Sequence, residues 1–308
     1  MGTPDFAVAS LDAICRSTHT VVGVVTVPDR PTGRGQKLTT SAVKDYALQH
    51  QLPILQPEKL RDPAFLEALA SMQADIFVVV AFRMLPQMVW AMPTHGTFNL
   101  HASLLPQYRG AAPINWAIIN GEHTTGVTTF MLNEHIDEGG ILMQRSCNIA
   151  DDDTAEVLHD RLSAMGAQMV VETLDGIANG TLHPVAQHTP TEPRPAPKIF
   201  KADCAIPWHK DGRYIYNFVR GLSPYPAATM QLLDSRGNVI SFKVYKVEYL
   251  PSSHTEIDKV DTDGKNVLKI GIMGGFIHIL ELQISGKRRM TTEEFLRGYN
   301  LSGCKLVK

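Results

Sequence analysis

Apolar runs of strand length recur through the first half of the chain, and amphipathic stretches separate them. The runs cover residues 20–27, 74–81, 96–100, 125–132 and 141–149. Helix-like segments separate the first three runs, and this alternation is typical of a doubly wound, mostly parallel α/β sheet of the Rossmann type. Asp62-Pro63 and Asp153-Thr154 indicate helix starts, and the second opens a periodic segment toward Ala178. The last two runs fit an antiparallel, hairpin-like excursion as well.

The second half of the chain has a different pattern. Glycine-containing turns separate short strand patterns at 230–233, 239–247, 267–272 and 276–282. Together with a helix around 212–220, this spacing predicts a small, OB-like β-barrel. Four prolines within 189–197 favour an extended, semi-rigid linker. We therefore predict a first domain over 1–188, a Pro-rich linker over 189–201 and a C-terminal β-barrel domain over 202–308.

Composition sets broad limits on the class of protein. The chain has 308 residues, 44% of them apolar and 19% charged, which is ordinary for a globular protein with a sizeable core. The longest apolar stretch, 76–82, is too short to span a bilayer, and the N-terminus resembles no signal peptide, so we expect a cytoplasmic protein. Four dispersed cysteines indicate neither disulfides nor a zinc site.

The charge is unevenly distributed along the chain. Residues 1–197 hold 12 Lys and Arg against 20 Asp and Glu, whereas residues 198–308 hold 17 against 11. The first part therefore carries −8 and the second +6, although the whole chain carries only −2. A basic second half favours a polyanionic partner. A solvated basic surface without a partner is the alternative.

Asn99 and His101 form the most informative motif. They stand two residues apart at the end of an apolar run, so a strand would direct both side chains to one face, at the edge where α/β sheets bind ligands. Asp137 follows in a loop that ends in Gly139 and Gly140. A general base, a donor for a developing oxyanion and a carboxylate are the groups that acyl transfer to an amine requires.

The sequence Asn-x-His-x-Ser-Leu-Leu-Pro from Asn99, then Arg-Gly-Ala-Ala-Pro-Ile, then Asp137, resembles the folate-dependent formyltransferases. The segments 2–7, 28–35 and 220–226 are similar to the branch of that family that acts on methionyl-tRNA. The resemblance implies a formyltransferase-like fold, 10-formyltetrahydrofolate as formyl donor and initiator methionyl-tRNA as acceptor. It implies no metal, no membrane and no obligate protein partner.

This resemblance also assigns roles to residues. His101 would accept the proton of the attacking amine, and Asn99 would hold the formyl oxygen as it becomes negative. Asp137 would either stabilise the charged imidazole or relay a proton through water, and the sequence leaves both roles open. By the same resemblance, the folate pocket would be lined by Ser103, Leu104, Leu105 and Pro106, with Met84 and Leu85. Ordinary loop packing is the alternative for these six.

Two basic segments are candidates for tRNA binding. The loop 28–37 is polar and glycine-rich, so we expect it to be exposed, with Arg30, Arg34 and Lys37 as its cations. In the second half, Gly286 introduces the basic run Lys287, Arg288 and Arg289. Two rival functions remain: a sugar-nucleotide N-formyltransferase, and a tRNA- or folate-binding protein without catalysis.

Three other features of the sequence give less information about function. Gly2-Thr3-Pro4 has no Gly-x-Gly-x-x-Gly continuation, which argues against a dinucleotide site. In the family an apolar strand precedes this glycine, so the resemblance implies a sheet that lacks its first strand. The three acids at 151–153 point in different directions before a helix, where they favour the helix dipole rather than a metal.

Overall fold

The computed structural model describes residues 1–32, 37–188 and 192–307. The chain forms two compact units that interleave in sequence. The first unit comprises residues 1–110, 125–147 and 159–195, and the second comprises 111–124, 148–158 and the chain from 196 onward. The predicted bounds of the two domains and the linker, 1–188, 189–201 and 202–308, stay a prediction.

Helices and short strands alternate up to residue 188. In chain order the elements are α1 (Asp5–Cys15), β1 (Val24–Val25), β2 (Arg30–Thr32), β3 (Lys37–Thr39), α2 (Ala42–Gln49), β4 (Ile54–Leu55), α3 (Pro63–Ser71), β5 (Phe77–Val80), α4 (Gln87–Trp90), β6 (Thr97–His101), β7 (Arg109–Gly110), α5 (Pro113–Ile119), β8 (Thr124–Met131), β9 (Ile141–Asn148) and α6 (Ala155–Ala178). Beyond residue 192 strands dominate. They are β10 (Pro195–Ala196), a short 3₁₀ helix (Lys201–Cys204), α7 (Gly212–Gly221), β11 (Ala228–Leu233), β12 (Val239–Pro251), β13 (Val260–Thr262), β14 (Leu268–Ile272), β15 (Gly275–Ile284), β16 (Met290–Thr291), α8 (Thr292–Leu296) and β17 (Lys305–Leu306).

The main sheet of the first unit has the strand order β5-β6-β8-β9. β5 and β6 are parallel, as the alternating pattern predicted, whereas β6 and β8 are antiparallel, which confirms the excursion near Asp137. Phe98 and Phe130 are fully buried on these strands. Asp62 and Pro63 start α3 as predicted, because the Asp62 carboxylate accepts the N–H of Ala64 at 2.9 Å.

Met1 and Gly2 connect β1 to β5. The Met1 amino group donates to the carbonyl of Val78 at 2.7 Å, and the Gly2 N–H donates to the carbonyl of Val25 at 3.1 Å. Burial lowers the pKa of the Met1 amino group to about 5. Next to this connection lies a cavity of about 510 Å³. Its walls include Met1, Gly23, Val25, Met72, Phe77 and Val78. Beside it β1 spans only Val24–Val25, so the prediction of a strand over 20–27 was too long.

The second unit is built on an antiparallel sheet in the order β13-β14-β15-β12-β11-β17. β12 extends over thirteen residues, and its register with β15 shifts near Lys246, a bulge of the kind that bends a sheet toward a barrel. α7 covers β12 and β15. The apolar core lies between them, with the Phe242 and Phe295 rings packed edge to face at 5.5 Å. The predicted α/β class with a C-terminal β domain is confirmed.

Among the described residues, no helix is long and apolar enough to cross a membrane.

Candidate active site

Strand β6 delivers the two motif side chains. Phe98 and Leu100 of β6 are buried on one face, while Asn99 and His101 lie on the other because side chains alternate along a strand. His101 pairs with Thr128 of β8, and the edge of the Phe130 ring packs against its imidazole with centroids 6.5 Å apart. Thr128 and Phe130 of β8 therefore help to hold the buried imidazole in place at the carboxyl end of β6.

A backbone contact fixes the tautomer of His101. Its Nε2 lies 2.8 Å from the carbonyl oxygen of Tyr108. Because a carbonyl oxygen only accepts hydrogen bonds, Nε2 carries the hydrogen, and Nδ1 of the neutral ring holds the free lone pair. Tyr108 itself is buried and is held by its own N–H, which donates to the carbonyl of Arg194 at 2.7 Å. Nδ1 is thus the atom available to accept a proton.

Asp137 occupies a turn between β8 and β9 whose geometry depends on glycine. Its φ is +54°, a left-handed conformation that Asp tolerates better than most residues. A Cβ on Gly139 would lie 1.6 Å from the carbonyl oxygen of Met131, so only glycine fits there. The turn brings the Asp137 carboxylate back over the end of β6.

His101 and Asp137 meet at this point. Nδ1 of His101 and Oδ2 of Asp137 are 3.8 Å apart, and the side chains are 7% and 14% exposed. This distance is too long for a hydrogen bond but short enough for strong attraction once Nδ1 is protonated. Oδ2 also accepts the N–H of Gly110 at 2.9 Å. Both roles of Asp137, stabilisation of a charged imidazole and proton relay through water, stay predictions.

Two side chains from other segments, Gln187 and Arg109, contact this turn, and the sequence analysis did not predict either of them. Gln187 donates to the carbonyl oxygens of Asp137 and Gly139 at 2.8 and 2.9 Å. Arg109 donates to Oε1 of Gln187 and pairs with Glu138 at 2.7 Å. Arg109 stands next to Gly110 inside the motif, but Gln187 is fifty residues from Asp137 and follows no recognisable local pattern.

The segment Ser103–Pro106 is anchored by Thr128 and Gln144. The Thr128 hydroxyl donates to the carbonyl of Ser103 at 2.6 Å and accepts the N–H of Leu105 at 3.1 Å. Gln144 donates to the carbonyl of Leu105 at 2.8 Å. Ser103 and Leu105 are buried, whereas Leu104 and Pro106 are partly exposed. A ligand at this segment therefore meets Leu104 and Pro106 most directly.

Met84 and Leu85 differ in exposure. Met84 is 69% exposed, while Leu85 belongs to the apolar core. The neighbouring Arg83 guanidinium donates to the carbonyls of Pro57 and Glu58, and burial lowers its pKa. Arg83 thereby ties the segment that carries Met84 to the preceding loop.

The predicted tRNA-binding loop is described only in part. Arg30 is exposed and begins β2, which pairs with β3. Arg34 lies outside the described residues, and of Lys37 only the backbone, in β3, is described.

The basic run of the second unit is exposed but partly neutralised. Arg288 pairs with Glu294 at 2.9 Å, and Arg289 pairs with Glu281 at 2.5 Å. The Arg289 guanidinium also lies 4.5 Å from the centre of the Tyr245 ring. A polyanion at this run would compete with two carboxylates.

This fold, with an Asn, a His and an Asp gathered at the end of a central strand, defines a formyl-transfer enzyme. The chain belongs to the formyltransferase family. Residues 1–174 match the family described as formyl transferase, and residues 198–300 match the formyl transferase C-terminal domain.

Curated relatives narrow the family further. A methionyl-tRNA formyltransferase of Bacteroides fragilis is 51% identical over 98% of this chain and 94% of the relative. The protein of the same name from Phocaeicola vulgatus is 53% identical over 98% of this chain and 95% of its own length. The family resemblance predicted from the sequence motifs is confirmed.

Solved structures with this fold are more distant. WlaRD, a sugar 3N-formyltransferase crystallised with dTDP and 5-N-formyl-THF, shares 20% identity over 93% of this chain and 97% of its own, with a TM-score of 0.64. An N-formyltransferase from Helicobacter canadensis was solved in complex with folinic acid and dTDP-3-aminofucose. It shares 19% sequence identity over 94% of this chain and 97% of its own, with a TM-score of 0.65. At this identity the likeness concerns the fold alone.

Proposed function

We propose that this chain transfers the formyl group of 10-formyltetrahydrofolate to the amino group of methionine on initiator tRNA, in the cytoplasm. The observation that carries the chemistry is the pair formed by Nδ1 of His101, on the strand that also presents Asn99, and the carboxylate of Asp137, on the turn between β8 and β9, 3.8 Å apart. Half or more sequence identity to methionyl-tRNA formyltransferases supports this acceptor.

Each residue acts on a charge that changes during the reaction. The neutral amine attacks the formyl carbon, a new C–N bond forms, and the formyl oxygen becomes negative. The Asn99 amide donates to that oxygen, and Nδ1 of His101 accepts the proton of the amine. Asp137 stabilises the imidazolium. When the intermediate collapses, the bond to the folate nitrogen breaks, and that nitrogen takes up the proton that His101 accepted from the amine, which returns His101 to its neutral form.

The folate site we propose adjoins this chemistry along Ser103, Leu104, Leu105 and Pro106, with Met84 and Leu85 on the segment that Arg83 anchors. The backbone of Ser103–Pro106 is held by Thr128 and Gln144. A preformed backbone of this kind orients a ligand without a cost in ordering.

The tRNA site we propose has two parts. Arg30, Arg34 and Lys37 supply cations on the β2–β3 segment, and Lys287, Arg288 and Arg289 supply them on the +6 second half. Arginine can contact both phosphates and unpaired bases at an RNA end.

A formyl-transfer assay distinguishes this function from its rivals. Purified protein with 10-formyltetrahydrofolate is given either methionyl initiator tRNA or a UDP-amino sugar, and formylated product is measured. We expect product only with the charged tRNA. Product only with the sugar nucleotide would establish the sugar N-formyltransferase, and folate binding without product from either acceptor would establish a binding protein.

A further inference from the structure

Gln187 is hydrogen-bonded at every position its side chain offers. Both hydrogens of its amide are donated to the turn that carries the catalytic carboxylate, to the carbonyls of Asp137 at 2.8 Å and Gly139 at 2.9 Å. Its Oε1 accepts from Nε and Nη2 of Arg109 at 3.3 and 2.7 Å. Two donors and two accepted bonds saturate a primary amide. Such a residue specifies the shape of what it contacts.

Arg109 and its neighbour Gly110 also contact the turn that Gln187 holds. Nη1 of Arg109 pairs with Glu138, the residue after Asp137, at 2.7 Å. The next residue after Arg109, Gly110, donates its N–H to Oδ2 of Asp137 at 2.9 Å. One face of the turn is therefore held by Gln187, and the carboxylate itself by the chain beside Arg109.

The position of Gln187 is set by the sheet. Val185 exchanges two backbone hydrogen bonds with Ile141, the first residue of β9, at 2.7 and 2.8 Å. This pairing places Gln187 beside the turn that precedes β9, and Pro184 packs where a Cβ on Gly140 would lie. The segment reaches the turn along a fixed path.

We infer that Gln187 is a positioning residue for catalysis, which acts with Arg109 to hold Asp137 in its left-handed conformation with its carboxylate facing Nδ1 of His101. The inference rests on the proposed roles of His101 and Asp137. Without the two donors of Gln187, the carbonyls of Asp137 and Gly139 lose their partners, and the turn relaxes toward right-handed backbone. The carboxylate then moves away from the imidazole.

The variant Gln187→Glu tests this directly. Glutamate keeps the shape and still accepts from Arg109, but it loses both donors and sets a negative charge against two carbonyl oxygens. We expect kcat to fall about tenfold or more, while KM for the folate donor stays within about twofold. The control is Gln231→Glu on β11, where an exposed amide donates to Ser241. It adds the same charge and should leave kcat unchanged.

Coupling separates positioning from a general effect on folding. In an Asp137→Asn background, Gln187→Glu should cause no further loss of kcat, because its action passes through the carboxylate. Losses that multiply would overturn the inference. Should Gln187→Glu fail to fold, Gln187→Asn, which keeps the amide and shortens its reach, replaces it in both measurements.

A second readout does not depend on turnover. The amide proton of Gly110 reports its hydrogen bond to Asp137, so its ¹H–¹⁵N resonance should move in Gln187→Glu and stay in place in Gln231→Glu. An unmoved Gly110 resonance would overturn the inference even if the wild-type chain formylated no tRNA. A moved resonance in a chain without activity on tRNA would retain the positioning role and reject the proposed acceptor.

Discussion

At the scale of single residues, the site depends on which nitrogen of His101 is free. The Tyr108 carbonyl holds the hydrogen on Nε2 and leaves the lone pair of Nδ1 free for the role of base that we propose. His101→Ala and Asn99→Ala remove the groups that we propose act on charge developed in the transition state. We expect each to lower kcat by about 100-fold or more, with folate affinity nearly unchanged.

Turnover and folate binding measured on the same preparations check this expectation. His50→Ala is the matched control, because His50 stacks on Tyr46 at the end of α2 and takes no part in the site. Near wild-type kcat in either site variant would remove that residue from the catalytic set.

In the role that we propose for it, the Asp137 carboxylate affects catalysis through its charge. Asp137→Asn keeps the size of the side chain but cannot stabilise an imidazolium 3.8 Å away. We expect kcat to fall by about 10-fold to 100-fold. The pH profile of kcat/KM should also change, because a neutral amide cannot replace the charge of the carboxylate beside the imidazole. A pH profile that keeps its wild-type shape would contradict this role.

At the scale of elements, local patterns predicted most of what positions the site. The two-residue period of a strand placed Asn99 and His101 on one face, and the adjacent glycines indicated the turn after Asp137. Strand β1 was overestimated because its pairing with β4 covers only Val24 and Val25, whereas residues 20–23 line the cavity. Gln187 escaped prediction because its contacts join segments fifty residues apart, which no local pattern records.

The β2–β3 segment is the element whose contribution to tRNA binding can be tested alone. Arg30 is exposed at its start, and Arg34 stands between its two strands in sequence. Arg30→Ala and Arg34→Ala should each raise KM for methionyl-tRNA several-fold and leave folate affinity unchanged, because each removes a cation that we propose contacts the tRNA.

Arg16→Ala provides the control for this segment. Arg16 is a 79% exposed arginine at the end of α1 in the same unit, and it pairs with Asp12, one turn earlier. If KM for tRNA rose equally in all three variants, net charge rather than the segment would be responsible.

At the scale of the whole molecule, acidic and basic residues are unevenly distributed along the chain. The part that carries the reacting residues has a net charge of −8, and the part after residue 197 has +6. An acidic surface repels a polyanion, so tRNA affinity has to come from local cations or from the basic half. We therefore propose that the basic half holds tRNA and that the first half carries out the chemistry on its end.

The run Lys287, Arg288 and Arg289 tests that division. Neutralising all three should weaken tRNA binding and flatten its dependence on salt, by about 0.7–0.9 in log–log slope for each phosphate that the run no longer neutralises. Arg288 and Arg289 already pair with Glu294 and Glu281, so Lys287 should account for more of the change than either arginine.

The measurement is tRNA affinity across a range of salt concentrations, on protein whose fold has been checked by thermal unfolding. The matched control neutralises Arg16, Arg61 and Arg145, which removes the same charge from the first unit and should leave the salt slope in place. An unchanged affinity and slope in the Lys287, Arg288 and Arg289 variant would mean that this run is only a solvated surface. If the Arg30 and Arg34 variants also bound tRNA normally, the case for a tRNA acceptor would rest on relatives alone. The sugar-nucleotide acceptor would then be the first alternative to examine.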